Sequence, residues 1–379
     1  MAIEAGADSS GDRRLEINAM RAALALARRG LGAVWPNPSV GCVIVNDGRV
    51  VGRGWTQPGG RPHGETEALR RAGEAARGAV AHVSLEPCCH WGQTPPCVDA
   101  LIAAGVRRVV VALEDPDPRV AGEGLRRLRA AGLDVEVGLC AEEAAEVNAG
   151  FLSRLRLGRP LVTFKLATSL DGRIAVATGE SQWITGPPAR DRAHALRASH
   201  DAIMVGTGTV VADDPQLTCR LPGLGHRSPV RVVIDRHLRI SPASRIIADA
   251  PRVPTWVLTL RSADPGRRAM FLANRVTLID VDDDGEGQID LALALGALGE
   301  LGITRLLVEG GARLAAAFFR ARLIDRLVWV HAPLVIGGDG IPAIAGFDLA
   351  ALADGRAFER LSTETIGDDV LTTFRVRPI

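Results

Sequence analysis

The chain reads as two α/β domains in tandem. Three observations predict this. Short β-branched apolar runs alternate with stretches of helical apolar periodicity. The alternation halts at the polar turn Gly158-Arg159-Pro160 and then starts afresh. A length of 379 residues also has room for two to three domains at roughly 150 residues each.

Residues 1–14 read as a flexible N-terminal tail. A first helix is expected over 15–29, with Leu15, Ile17, Met20, Ala23 and Leu24 roughly on one face and Gly30 as its stop. Strand 40–45 ends at the hairpin turn Asn46-Asp47-Gly48, which leads into strand 50–55. Helices then read over 63–73, 98–104, 125–131 and 142–155, interleaved with strands over 80–85, 108–113 and 135–139. Two strands followed by this alternation predict a sheet covered by helices on both faces, an α/β/α sandwich over 15–158. Over 159–379, strands are expected at 161–166, 202–205, 230–234, 256–260, 276–279, 306–308 and 327–331. Helices are expected near 189–198, 291–301 and 314–321, and no internal repeat is evident.

Composition narrows the function. Forty-five basic residues against 44 acidic ones leave a net charge of +1, so phosphate recognition has to be local. With 4% aromatic residues and no tyrosine, the sequence argues against a stacking, basic nucleic-acid groove. The longest apolar stretch, 327–336, is short and carries His331 and Pro333, so no membrane span is expected, and the N-terminus lacks an apolar signal core. A soluble, cytoplasmic protein is the expectation. Lys165 is the only lysine in the chain.

Six cysteines are too few to staple a chain this long, and in a cytosolic setting their clustering points to metal. Cys42, Cys140 and Cys219 are scattered, whereas Cys88, Cys89 and Cys97 lie together, downstream of His63-Gly64-Glu65. His63, Cys88 and Cys97 make three ligands for one tetrahedral Zn2+ per chain, leaving the fourth position for water, the mark of a catalytic site. Zinc brings that water's pKa to about 7. Glu65, two residues from the ligand histidine, can then move its proton; His-x-Glu followed by Pro-Cys is the pattern of zinc nucleobase deaminases. The competing arrangement is a closed structural site built from Cys88, Cys89, His90 and Cys97. It is disfavoured because three of those four residues are consecutive and because it leaves His63 and Glu65 unexplained.

Eight residues separate Cys88 from Cys97 where ordinary base deaminases have two. With Asn37-Pro38-Ser39-Val40-Gly41-Cys42 upstream, this insertion resembles the deaminase half of the bifunctional deaminase/reductases of riboflavin synthesis. The chain departs from that family's loop at Cys89, where a small polar residue is usual, and at Gln93, where arginine is usual. Glutamine cannot reproduce an arginine's charged fork, so an anionic contact is in question there. Asn37 is either a contact to the pyrimidine or a turn residue before Pro38.

The second half has no Gly-x-Gly-x-x-Gly fingerprint. It has Val308-Glu309-Gly310-Gly311-Ala312 opening a small-residue helix, whose free amides suit a phosphate. Residues 167–173, 181–185, 205–215 and 332–340 resemble the reductase half of the same family, in the family's order. The resemblance implies a cytidine-deaminase-like domain followed by a dihydrofolate-reductase-like domain that takes hydride from NADPH. By that resemblance Ala167, Trp183, Thr209, Asp213 and Gly311, Ala312, Arg313, Leu314, Ala315, Ala316 and Ala317 line the cofactor. Ser181, Arg197, Leu217, Arg220 and Glu309 face a phosphorylated pyrimidine substrate. Arg197 and Arg220 are each expected to clamp a phosphate bidentately, and Glu309 to accept hydrogen bonds from ribose or ring N–H groups. Lys165 is either a donor to the opened sugar or a bystander, and Asp171-Gly172 reads as a turn. The family further implies a homo-oligomer through the reductase domain. The alternative is a deaminase whose second domain senses a nucleotide without catalysis.

Overall fold

The computed structural model describes residues 9–377 and divides into two compact units, one ending at Arg156 and the other beginning at Leu157. Helix α1 (Ser9–Ala27) starts inside the stretch read as tail, so residues 9–14 are a correction to that reading; residues 1–8 lie outside the described ones.

In the first unit, β1 (Gly41–Asn46) and β2 (Arg49–Trp55) form the expected hairpin, with positive φ at both Asp47 and Gly48. Helix α2 (Gly64–Ala72) is bounded by His63 and Gly73 and leads to β3 (Val80–Val83). Then come α3 (Cys97–Ala103), β4 (Arg108–Val111), α4 (Glu123–Ala130) and β5 (Asp134–Val137). The single helix expected over 142–155 is two, α5 (Ala141–Val147) and α6 (Ala149–Leu157). The break falls at buried Asn148, whose Oδ1 accepts the Ser39 N–H at 2.9 Å.

The strands run in the order β2-β1-β3-β4-β5, with β3, β4 and β5 parallel. Strand alternation divides the apolar side chains between two layers. Val43, Val110 and Ala112 pack with Met20 and Leu24 of α1 and Ala144 of α5. Cys42, Ile44, Val109 and Val111 pack with Ala68 of α2, Leu101 of α3 and Leu128 of α4. Glycine sets how closely α2 lies on β2. A Cβ on Gly54 would stand 2.1 Å from the Gly64 carbonyl oxygen, and one on Gly52 would stand 2.3 Å from that of Ala68. The N-terminus of α2 is thereby pressed onto the sheet.

The second unit continues with β6 (Leu161–Thr168), β7 (Arg173–Ala175), α7 (Pro187–Ala198), β8 (Ala202–Gly206) and α8 (Thr207–Asp213). Next are β9 (Val230–Ile234), α9 (Arg245–Ala248), β10 (Thr255–Thr259), α10 (Pro265–Ala273) and β11 (Thr277–Asp280). The chain closes with α11 (Leu291–Glu300), β12 (Arg305–Val308), α12 (Ala312–Arg320), β13 (Arg326–His331), β14 (Ile341–Pro342), β15 (Phe358–Ile366) and β16 (Asp369–Val376).

Nine strands form one sheet in the order β11-β10-β9-β8-β12-β6-β13-β16-β15. The first seven are parallel, and the last two are an antiparallel hairpin that the sequence reading left unassigned. On one face Ile203, Val205, Val233 and Val257 pack with Ile246, Ile247 and Phe271. Phe164, Phe318, Phe319, Phe347, Phe358 and Phe374 form a chain of ring contacts at centroid separations of 5.7–6.5 Å, joining α12 to β6 and the terminal hairpin.

Candidate active sites

In the first unit, two helix starts and one loop bring the expected metal ligands together. His63 sits immediately before α2, Cys97 is the first residue of α3, and Cys88 lies in the loop after β3. Their donor atoms all lie within 4.8 Å of one another. His63 Nδ1 is 3.2 Å from Cys97 Sγ and 3.5 Å from Cys88 Sγ, and Cys97 N–H donates to Cys88 Sγ at 3.3 Å.

The two sulfurs and the imidazole shift one another's proton affinities. The Cys97 thiol, helped by His63 and the Cys97 amide, brings the Cys88 thiol down to about 4, and the hydrogen bond to Cys88 raises the Cys97 thiol. The same Cys88 contact raises His63. Burial pushes Glu65, in the first turn of α2, up to about 7. Its Oε2 is buried with no hydrogen-bond partner among the described residues. Three convergent soft donors beside an orphaned carboxylate oxygen fit a zinc ion with one vertex left for water.

Cys89 does not join the cluster; its Sγ lies 3.6 Å from the Arg119 carbonyl oxygen, and the closed four-donor arrangement fails on that placement. Asn37 is half-buried, with Nδ2 donating to the Val34 carbonyl at 3.3 Å, and its amide fills the space a Cβ on Gly60 would take. The sequence reading passed over Arg61, which follows Gly60. Its guanidinium donates to Thr94 Oγ1 on the loop between Cys88 and Cys97. The signal for it was the arginine missing at position 93.

In the second unit, the expected residues gather along one edge of the parallel sheet, where β8, β12, β6 and β13 end side by side. Ligands of open α/β sheets bind at this carboxyl edge. Thr209 and Asp213 lie on α8, directly after β8, and Ala167 lies near the end of β6. Gly311 precedes α12, with Thr209 Oγ1 3.8 Å from where its Cβ would be, so the β8 and β12 ends adjoin. The stretch 311–317 divides. The start of α12 has no side-chain cap, whereas Ala315 N–H bonds the Gly311 carbonyl within the helix, and Ala315 and Ala316 are core residues. Any phosphate contact therefore falls to the amides of Ala312, Arg313 and Leu314, and Ala317 is half-buried one turn on.

Glu309 and Arg197 form a bidentate pair, Nε–Oε1 at 2.8 Å and Nη2–Oε2 at 2.9 Å, and Arg197 Nη1 donates to the Thr218 carbonyl at 3.1 Å. Each nitrogen of Arg197 thus already donates to a protein acceptor, a pairing that the expectation of two phosphate clamps did not include. Arg220 is exposed, and its backbone N–H donates to His194 Nδ1 at 3.3 Å. Burial pushes the Glu309 carboxyl up, but Arg197 with help from Lys165 more than offsets it and holds it at about 2. Burial lowers Lys165, against the opposing charge of Glu309. Lys165 and His194 thus belong to the electrostatic neighbourhood of Glu309.

Leu217 is packed in the core with φ +54°, so its backbone rather than its side chain can face a ligand. Ser181 and Trp183 lie on the loop between β7 and α7; Trp183 is 66% exposed, with Arg190 4.5 Å over its ring. Asp171 is a loop organiser: its carboxylate accepts from Ser169 Oγ at 2.6 Å, Gly337 N–H at 2.7 Å and Ile336 N–H at 3.1 Å. Those bonds hold it at about 2, which is unsuited to proton donation at neutral pH.

Comparison with known proteins decides the family. Residues 14–113 match the cytidine and deoxycytidylate deaminase zinc-binding region, and residues 160–372 match the RibD C-terminal domain. The riboflavin biosynthesis protein RibD of Escherichia coli K12 is 45% identical over 364 residues, covering 93% of this chain and 96% of the relative. The chain belongs to the RibD family. The Aquifex aeolicus RibD protein is 38% identical, with 96% of this chain and 99% of the relative covered. Acinetobacter baumannii RibD superposes with a TM-score of 0.87 at 37% identity, over 97% of this chain and all of that one. A Thermotoga maritima structure named as a diaminohydroxyphosphoribosylaminopyrimidine deaminase and 5-amino-6-(5-phosphoribosylamino)uracil reductase gives 0.84 at 33% identity, with the same coverage. As a RibD-family member the chain is a bifunctional deaminase and reductase of riboflavin biosynthesis, with zinc and NADPH as cofactors. A purely nucleotide-sensing second domain is not favoured. Among the described residues no helix is long and apolar enough to cross a membrane.

Proposed function

We propose that residues 15–158 deaminate 2,5-diamino-6-ribosylamino-4(3H)-pyrimidinone 5′-phosphate and that residues 159–379 then reduce its ribosyl group to ribityl. The observation that supports the first step is the convergence of His63, Cys88 and Cys97 beside a buried, unpartnered Glu65 oxygen. A zinc ion held by those three side chains supplies the Lewis acidity that makes water a nucleophile near neutral pH. Glu65, whose carboxyl burial raises to about 7, would pass the water's first proton to the ring nitrogen and then the added hydroxyl's proton to the amino group, which leaves as ammonia. Asn37 holds the pyrimidine.

In the second unit NADPH supplies the hydride to the sugar carbon exposed by ring opening. Thr209, Asp213, Ala167, Trp183 and the amides at the start of α12 bind the cofactor. Arg220, with Ser181 and the Leu217 backbone, binds the substrate. Arg197 keeps Glu309 ionised and fixes its carboxylate plane, ready to accept from ribose or ring N–H groups. Lys165 donates to the sugar oxygen released when the ring opens. The chain works in the cytoplasm and self-associates through its second unit, which light scattering on the purified protein tests.

The reaction order is the direct test. Given the diaminopyrimidine substrate alone, the full chain releases ammonia; NADPH oxidation follows only after that release, or at once when the deaminated product is supplied. Ammonia release that requires NADPH, or oxidation that precedes it, contradicts the proposal.

A further inference from the structure

The loop that carries both cysteine ligands has lost the arginine that riboflavin deaminases usually place before its Thr-Pro-Pro-Cys end; here it is Gln93. The structure brings a guanidinium back to the same loop from the opposite wall. Arg61 lies between β2 and α2, two residues before the ligand His63. It reaches across to donate to Thr94 Oγ1, and a Cβ on Gly92 would stand 2.9 Å from its Nη2. The residues flanking Gln93 are therefore the ones Arg61 touches.

The charge balance around the loop singles it out. Arg119, whose carbonyl meets Cys89 Sγ, is paired with Asp117, Nη2–Oδ2 at 2.5 Å. Arg127, which donates to the Cys89 carbonyl at 2.6 Å, is paired with Asp99 at 2.5 Å. Arg71 is paired with Glu67 at 3.4 Å and lies over the Trp55 ring. Arg61 makes no ion pair among the described residues, and its hydrogen bond goes to a neutral hydroxyl. A half-buried guanidinium beside a metal site and without a carboxylate has unused charge and N–H donors for an anion.

We propose that Arg61 is the specificity-determining cation of the deaminase site, binding the 5′-phosphate of the pyrimidine substrate in place of the arginine absent at position 93. Thr94 orients the fork and Asn37, against Gly60, holds the base one residue away. The inference rests on the deaminase reading given above.

Steady-state ammonia release by the zinc-loaded full chain is compared for the phosphorylated substrate and its dephosphorylated nucleoside. Arg61→Gln is expected to raise KM for the phosphorylated substrate roughly 10- to 100-fold. Its kcat should stay within a factor of about three, and turnover of the nucleoside should not change. Adding Gln93→Arg to Arg61→Gln is expected to restore most of the lost KM. Equal effects on both substrates, an unchanged KM, or loss of zinc from Arg61→Gln would overturn the role. If the wild type releases no ammonia from either substrate, the deaminase reading fails instead. Calorimetric titration with inorganic phosphate still judges Arg61 in that case: Arg61→Gln loses one phosphate site of the wild type if the inference holds, and none if it does not.

Discussion

The two sites of this chain are built by opposite strategies. The first concentrates its chemistry in side chains separated by 34 residues of sequence, from His63 to Cys97, and buries the reacting carboxylate. The second draws on residues from 165 to 317 and assembles them only through strand order, β8-β12-β6-β13, along an open sheet edge. The first site is preorganised by close backbone packing, which brings its three donors together. The second depends on one buried ion pair between α7 and the end of β12. Damage should therefore show as lost metal in the first unit and as lost stability in the second.

The largest expected effect is at the thiolate. Cys88→Ser removes the ligand whose charge organises His63 and Cys97. It is expected to abolish zinc binding and ammonia release while NADPH oxidation on the deaminated product survives. Metal analysis with both assays checks this, and parallel loss of the two activities would mean the sites are not independent.

Next is the ion pair. Glu309→Ala leaves Arg197 and Lys165 facing each other in a buried setting, and should destabilise the second unit by about 3–5 kcal/mol. Calorimetry of the full chain is expected to show one transition lowered and the other unmoved. Gly54→Ala makes the corresponding cut in the first unit by forcing α2 off β2. A loss of about 1–3 kcal/mol is expected, with weakened zinc retention because His63 starts that helix.

The smallest effect is a pH response of opposite sign in the two units. Burial holds His200 at about 4 against an ordinary 6.5, while it contacts the Leu196 carbonyl and Thr163 Oγ1. Below 6.5 the unfolded chain takes up a proton that the folded one refuses, so His200 makes the second unit lose stability as pH falls towards 4. Burial raises Asp115 in the first unit to about 6 from 3.8, so the folded form protonates first and this group adds stability over the same descent. Urea melts of His200→Gln and Asp115→Asn should flatten these two slopes separately; matching slopes in both units would remove the contrast.

The same contrast explains what was legible in the sequence. The convergence of His63, Cys88 and Cys97 beside Glu65 was readable because tetrahedral coordination demands few residue types at short spacings. Arg61 was not, since an isolated arginine acquires meaning only when the fold sets it against residues 92–94. The Arg197–Glu309 pair spans 112 residues, and no local pattern carries it; knowing the residues without their partners gave Arg197 a phosphate role and no sign that its fork is paired with a carboxylate. Among the elements, the alternating core strands stood out by β-branched apolar runs. The hairpin of β15 and β16 did not, because the polar run Ser362-Thr363-Glu364-Thr365, exposed from Thr363 to Thr365, interrupts the apolar pattern of β15. Helix α8 was hidden as well: Thr and Val favour strands, and tertiary context after β8 overrides them.

The most direct measurement is zinc content per chain alongside ammonia release for the wild type and Glu65→Gln. One zinc in each protein is expected, with release falling at least 100-fold in the variant, the scale of an acid–base group's contribution. Full activity in Glu65→Gln, or a wild type that binds no zinc, would contradict the account.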